Sequence, residues 1–197
     1  MEQEPDIKPI LDLQRFLIDF RNIKRMVYFP ESDERENDVE HSFFLAVIAW
    51  QLAEKVDPSL DMGRIMQYAL VHDLVEVHAG DTFAFGEGAD TKHARELESL
   101  GKIKDQFSQD FPSLTETIEV YEQRDDRESR FVYAVDKMLP AIMESFSGGR
   151  TWLEEGVTYA QVYEYDSKKT AESTDVQGYF NALHDYLSQH PEFFAKE

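Results

Sequence analysis

The stretch Ala69-Leu70-Val71-His72-Asp73-Leu74-Val75-Glu76-Val77-His78-Ala79-Gly80-Asp81 sets an apolar run against a histidine, two carboxylates and a second histidine before it reaches a glycine. Burying those polar side chains among Leu and Val costs several kcal/mol unless something pairs with them. Any fold that contains the segment must supply the partners, and a metal ion would serve. A helix from about Gly63 to Ala79, with Gly80 as its C-terminal stop, would carry the segment. Helical spacing then puts His72 and Glu76 on one face, with Asp73 rotated about 100° from His72.

The chain has no cysteine, so neither a disulfide framework nor a thiolate site is possible, and a metal must be held by His and carboxylate. Two further candidates lie at apolar stretches: His41, just ahead of Phe43 to Ala53, and Asp136, inside Phe131 to Leu139. With 40 acidic and 20 basic side chains, the net charge is -20. That field repels nucleic-acid strands and anionic membranes. A small anionic substrate would need local cations, and Arg21-Asn22-Ile23-Lys24-Arg25 is the densest basic patch.

Ile10, Leu13, Leu17 and Phe20 recur at helical intervals, predicting a helix that opens near Pro9, runs into the basic patch and is over by Pro30. Glu31 to Glu40 reads as a polar loop. His41 then opens a helix apolar on nearly all sides, hence central, which stops before Asp57-Pro58. Phe83 to Asp90 reads as a loop over the site, and Leu97, Leu100, Ile103 and Phe107 mark an amphipathic helix to about Gln109. Ser113 to Glu116 and Thr151 to Glu154 have capping-box spacing. Glu128 to Phe146 is a long helix kinked at Pro140, Gly148-Gly149 breaks the chain, and helices cover 157–170 and 175–189.

No stretch alternates as a strand. The expectation is an all-α, single-domain multi-helix bundle over 1–197, with a core at about 10–147 and C-terminal helices at about 151–190. Hydrophobic residues at 42% are too many for disorder. Met1 to Asp6 lacks the pattern of a signal peptide, and no apolar run approaches the roughly 18 to 20 residues of a membrane span. A cytoplasmic protein is expected.

The ordered set His41, then His72-Asp73, then Asp136, each at an apolar helix, resembles the HD-domain metal-dependent phosphohydrolases. Glu36 to Ser42, His72 to Asp81, Lys92 to Glu96 and Ala134 to Lys137 look like the branch containing the bacterial 5'-deoxynucleotidases and their eukaryotic relatives, over roughly residues 10 to 190. His-Asp alone is a weak signal; His-Asp-x-x-Glu-x-x-x-Gly-Asp in the full order is far more specific. The resemblance implies that His41, His72, Asp73 and Asp136 bind one divalent metal ion. It further implies that Glu76 acts on the attacking water or leaving oxygen, that Asp81 positions substrate and water, and that Arg25 contacts phosphate. The branch follows its arginine with a tryptophan that packs on the sugar, where this chain has Met26, with Tyr28 and Phe29 close behind.

Two imidazoles and two carboxylates suit Mn, Fe, Co, Ni or Zn better than Mg. The expected activity is release of phosphate from a small phosphomonoester, a (deoxy)nucleoside 5'-monophosphate, and the family makes a homodimer the expected assembly. Rival readings are another HD-type reaction on nucleoside triphosphates or cyclic nucleotides, and a non-catalytic acidic helical module with a structural metal. Trp152, Tyr159, Tyr163, Tyr165, Phe193 and Phe194 are assigned to core or subunit interface. His78 is expected packed or at the surface, His93 is a lesser candidate to approach the site, and His184 and His190 carry no assignment.

Overall fold

A computed structural model describes residues 5–86, 88 and 91–196. Helix α1 (Lys8–Arg21) opens at Pro9 and buries Phe16 and Phe20. It ends at Arg21, and the chain does not stay helical toward Pro30. Lys24–Tyr28 (β1) instead pairs antiparallel with Arg35–Asn37 (β2), Lys24 opposite Asn37 and Tyr28 opposite Arg35. This ribbon replaces the predicted helical tail and part of the predicted polar loop. Its strands are too short to display a period; what holds them is burial of Val27 and Tyr28 and the guanidinium of Arg150, 3.8 Å from the Tyr28 ring centroid.

Helix α2 (Asp38–Val56) starts ahead of His41 because Asn37 forms a capping box with Glu40. Leu45, Ala49, Leu52 and Ala53 are buried, whereas Val39, Phe43, Val47 and Trp50 are exposed, so α2 is core on one side only. Helix α3 (Met62–Val71), capped by Asp61, does not run to Ala79. The chain turns through His72 to Val75 and resumes as the short α4 (Glu76–Ala79), with Gly80 at φ 73° behind it.

Helices α5 (Lys92–Phe107), α6 (Pro112–Gln123), α7 (Arg127–Ser147), α8 (Arg150–Glu154), α9 (Tyr159–Thr170) and α10 (Gln177–Ser188) follow, with 3-10 turns at Thr174–Val176 and Pro191–Phe193. Neither expected capping box forms at its helix start: α6 opens on Pro112 without a side-chain cap, and Thr151 lies inside α8. The hydroxyl of Thr151 donates to the Met26 carbonyl at 3.1 Å, tying α8 to β1. A box does form at Thr158 and Gln161, opening α9. Gly149 sits at φ 72°, and a Cβ there would collide with the Phe193 backbone.

Three apolar clusters hold these elements. Leu45, Ile65, Tyr68, Phe131 and Val135 join α2, α3 and α7. Phe16, Phe20, Val75, Ile103 and Ile118 join α1, α5 and α6 to the segment around α4. Ala141, Trp152, Val162, Leu187 and Phe194 close the C-terminal end, where Trp152 and Phe194 stack with centroids 4.7 Å apart. No helix among the described residues is long and apolar enough to cross a membrane.

Candidate metal centre

The first cluster brings α2, the α3–α4 turn and the middle of α7 together, and each contributes polar side chains at the junction. His41 comes from the first turns of α2, His72 and Asp73 from the turn, and Asp136 from α7; all four are buried. One potential ligand atom from each lies within 4.8 Å of the others. His72 keeps helical dihedrals (φ -54°, ψ -38°) and its amide bonds the Tyr68 carbonyl at 2.9 Å, so His72 and Asp73 bring one potential ligand atom each to the cluster from adjacent directions.

The histidine rings are held from behind. His41 Nδ1 is 3.2 Å from Glu36 Oε2 and His72 Nδ1 is 3.0 Å from the Ala69 carbonyl, which leaves each Nε2 directed at the cluster. His41 Nε2 meets Asp136 Oδ1 at 2.9 Å. His72 Nε2 lies 2.9 Å from Asp73 Oδ2 and 3.7 Å from Asp136 Oδ1, yet has no hydrogen bond of acceptable geometry among the described residues. A buried ring nitrogen left this way beside two carboxylates fits a ligand better than a structural donor.

The surrounding charges are dense. Arg25 Nη1, from β1, is 2.7 Å from Asp73 Oδ2 and 3.4 Å from Asp38 Oδ1, and its Nε is 3.6 Å from Glu36 Oε2. Burial and the Asp73 charge push Asp38 up to about 7. Burial opposes ionisation of Asp73 too, but His72 and Arg25 outweigh it and hold that carboxyl well below the usual range. Burial likewise opposes ionisation of Asp136, which is held low chiefly by Lys137, whose Nζ is 2.6 Å away.

Glu76 differs from these. Its Oε1 accepts a hydrogen bond from Lys92 Nζ at 2.9 Å, while its buried Oε2 has no partner among the described residues. Burial, then the Asp73 charge, pushes its carboxyl well above the ordinary value. Asp38, Asp73 and Glu76 form a second group with metal-ligand spacing. Asp81 is half-buried in the cavity wall beside Arg25.

Two cavities adjoin the cluster. The first runs past Arg25, Asp81, Lys92 and Asp136 between apolar walls of Phe83, Phe85, Pro140, Ala141, Trp152 and Val162. The second is polar, bordered by His72, Asp73, His93, Glu96, Glu122, Arg124 and Lys169. Lys92, Asp136, Lys137 and Tyr165 border both. Met26 lines the first cavity, whereas Tyr28 is buried between the guanidiniums of Arg35 and Arg150 and Phe29 packs on Phe44 at 6.3 Å.

His93 is exposed at the rim of the polar cavity and His78 is exposed against Phe16. His184, without an assignment from sequence, is buried with Nε2 3.1 Å from Asp166 Oδ2, and Asp166 lines the first cavity. Lys92 and Lys137 border both cavities, each paired with a carboxylate, Lys92 with Glu76 and Lys137 with Asp136. The signal for Lys137 was its place beside Asp136 in an apolar helix; Asp38 was hidden in a stretch that read as a loop.

The HD domain family matches residues 19–177, and the chain belongs to that family. The human protein 5'-deoxynucleotidase HDDC2 is 32% identical over 120 residues, covering 60% of this chain and 53% of that protein. The protein of the same name from Bos taurus is 32% identical over the same shares, so the chain spans about half the length of these curated relatives. The crystal structure of a predicted metal-dependent phosphohydrolase from Magnetospirillum magnetotacticum MS-1 matches with a TM-score of 0.81 and 29% identity over 100% of both chains.

Proposed function

We propose that this chain is a metal-dependent phosphohydrolase acting on a small phosphomonoester, a deoxynucleoside 5'-monophosphate first among them, with His41, His72, Asp73 and Asp136 holding one divalent ion. The observation that carries this is the buried His72 Nε2, unpartnered among the described residues, within a donor set of two imidazoles and two carboxylates. That set suits Mn, Fe, Co, Ni or Zn. A bound ion of this kind lowers the pKa of water and offsets charge on a phosphoryl oxygen.

The chain's own residues supply the rest. Lys92 and Lys137, which border both cavities, attract the phosphate into a field of net charge -20. Arg25 braces Asp73 and Asp38 and offers its remaining donors to the first cavity. Glu76 Oε2 is the site that takes a proton from water or gives one to the leaving alkoxide, with Oε1 fixed by Lys92. Asp81 positions the substrate from the cavity wall. Met26 takes the sugar-facing position. The HDDC2 relatives' name supports a deoxynucleotide; Arg124 and Lys169 in the polar cavity favour, as a second reading, a nucleotide with more phosphates. We place the protein in the cytoplasm as a homodimer joined through the exposed stripe of α2.

A panel of ribo- and deoxyribonucleoside mono- and triphosphates, assayed with Mn, Co, Ni, Zn and Mg after chelation, tests the reading through its product. Orthophosphate from monophosphates is expected; release of triphosphate would select the second reading, and no product from any member would favour a non-catalytic metal module. Asp73→Ala is expected to lose bound metal and turnover together while helical content by circular dichroism stays. Full metal occupancy in that variant would remove Asp73 from the site.

A further inference from the structure

One face of α7 forms a wall of the first cavity. Asp136 stands at the metal cluster, Pro140 and Ala141 follow, and Glu144 lies two turns on, about 12 Å along the axis. Glu144 is 1% exposed. Its Oε2 accepts hydrogen bonds from the Thr151 amide at 3.1 Å and the Ser147 hydroxyl at 2.9 Å, which joins α7 to α8. Its Oε1 is buried without a partner among the described residues. The structural task therefore occupies one oxygen and leaves the other unsatisfied, a costly arrangement unless something that enters the cavity satisfies it.

The surroundings narrow the ligand. Trp152, Val162 and Phe85 give apolar walls, and the buried Asp166 of α9, held by His184, borders the same cavity. A flat apolar group carrying hydrogen-bond donors suits this end, whereas one presenting acceptors meets carboxylates. We propose that Glu144 Oε1 accepts a hydrogen bond from the exocyclic amino group of a nucleobase, so that the site selects amino-bearing over oxo-bearing bases. The inference rests on the reading that phosphate is held at the cluster, since two helical turns then carry Glu144 beyond the sugar to the base. A sugar hydroxyl is a donor of the same kind, and pairs of nucleotides that share a sugar separate the two.

Calorimetric binding is measured on the Co-loaded protein carrying Glu76→Gln, a substitution expected to keep the ion while slowing turnover, for dAMP against dIMP and for dCMP against dUMP. The amino member is expected to bind about 10-fold or more tightly in at least one pair, the size of a charge-assisted hydrogen bond. Glu144→Gln can keep the Thr151 bond through its amide oxygen while turning a donor to the cavity, and is expected to abolish or reverse the preference. Ser147→Ala, whose lost hydroxyl reaches the Glu144 carbonyl and Oε2 but not Oε1, is expected to preserve it. Equal affinities within both pairs with Glu144 intact overturn the proposal, as does a preference unchanged in a folded protein that carries Glu144→Gln in addition. Base preference without phosphate release would sink the phosphohydrolase reading alone; phosphate release without base preference would sink this one alone. Binding of none of the four would overturn both.

Discussion

Glu76 is separated from the carboxylates around it by what its two oxygens touch. Asp73 and Asp136 meet imidazole and cation on the cluster side, whereas Glu76 has one oxygen on Lys92 and one free among the described residues. A side chain so placed can move a proton without holding the ion. Glu76→Gln is therefore expected to bind metal to the wild-type stoichiometry and to lower kcat by about 10²- to 10⁴-fold. Metal content from elemental analysis and kcat from phosphate release check this together. An unchanged kcat would move the proton transfer elsewhere, and loss of one metal equivalent would make Glu76 a ligand within the Asp38, Asp73 and Glu76 group.

Helix α7 carries both Asp136 and Glu144, so its N-terminus bears on the whole site. Asp126 caps it, accepting from the Ser129 amide at 2.7 Å, from Tyr68 and from Arg64 at 2.9 Å. Burial works to raise the Asp126 carboxyl, but those hydrogen bonds and the Arg64 charge hold it below the ordinary value. A group whose folded pKa is depressed contributes its full stability above the unfolded value of about 4 and loses it as pH falls through the folded value. Asp126→Ala is expected to cost about 1 kcal/mol at pH 7, with the gap from wild type narrowing below about pH 4. Urea unfolding at several pH values reads both; a gap independent of pH would show that the cap acts without its charge. The elements themselves differed in legibility. Helical periodicity marked α1 and α5, a long apolar-rich stretch marked α7, and the unusual residue types marked His72, Asp73 and Asp136. The break at Val71 was hidden because no Gly or Pro marks it: the bonds simply tighten, from the one joining the His72 amide to the Tyr68 carbonyl, into three-residue turns at Leu74 and Glu76. The β ribbon was hidden because its burial depends on Arg150 and Thr151, more than a hundred residues away. Glu144, Asp166 and His184 sit in ordinary helices where nothing local shows that a cavity lies beside them.

At the scale of the molecule, α2 faces two ways. His41 and Leu45 point inward, while Val39, Phe43, Val47 and Trp50 form an exposed stripe at spacings of four, four and three residues, 40 to 64% exposed. An all-apolar helix cannot reveal from sequence which side meets solvent, and the C-terminal aromatics that read as core or subunit interface include Trp152 and Phe194, stacked inside. A two-fold axis across α2 would bury the stripe against its own copy. Two subunits of net charge -20 repel at long range, and salt weakens that repulsion without touching apolar contact. The wild type is therefore expected to sediment as a dimer that tightens as salt is raised, with a Tm that climbs with protein concentration. Phe43→Glu combined with Trp50→Glu leaves the buried face of α2 intact and is expected to give a folded monomer with a Tm independent of concentration. A monomeric wild type at every salt concentration would remove the stripe as a subunit contact.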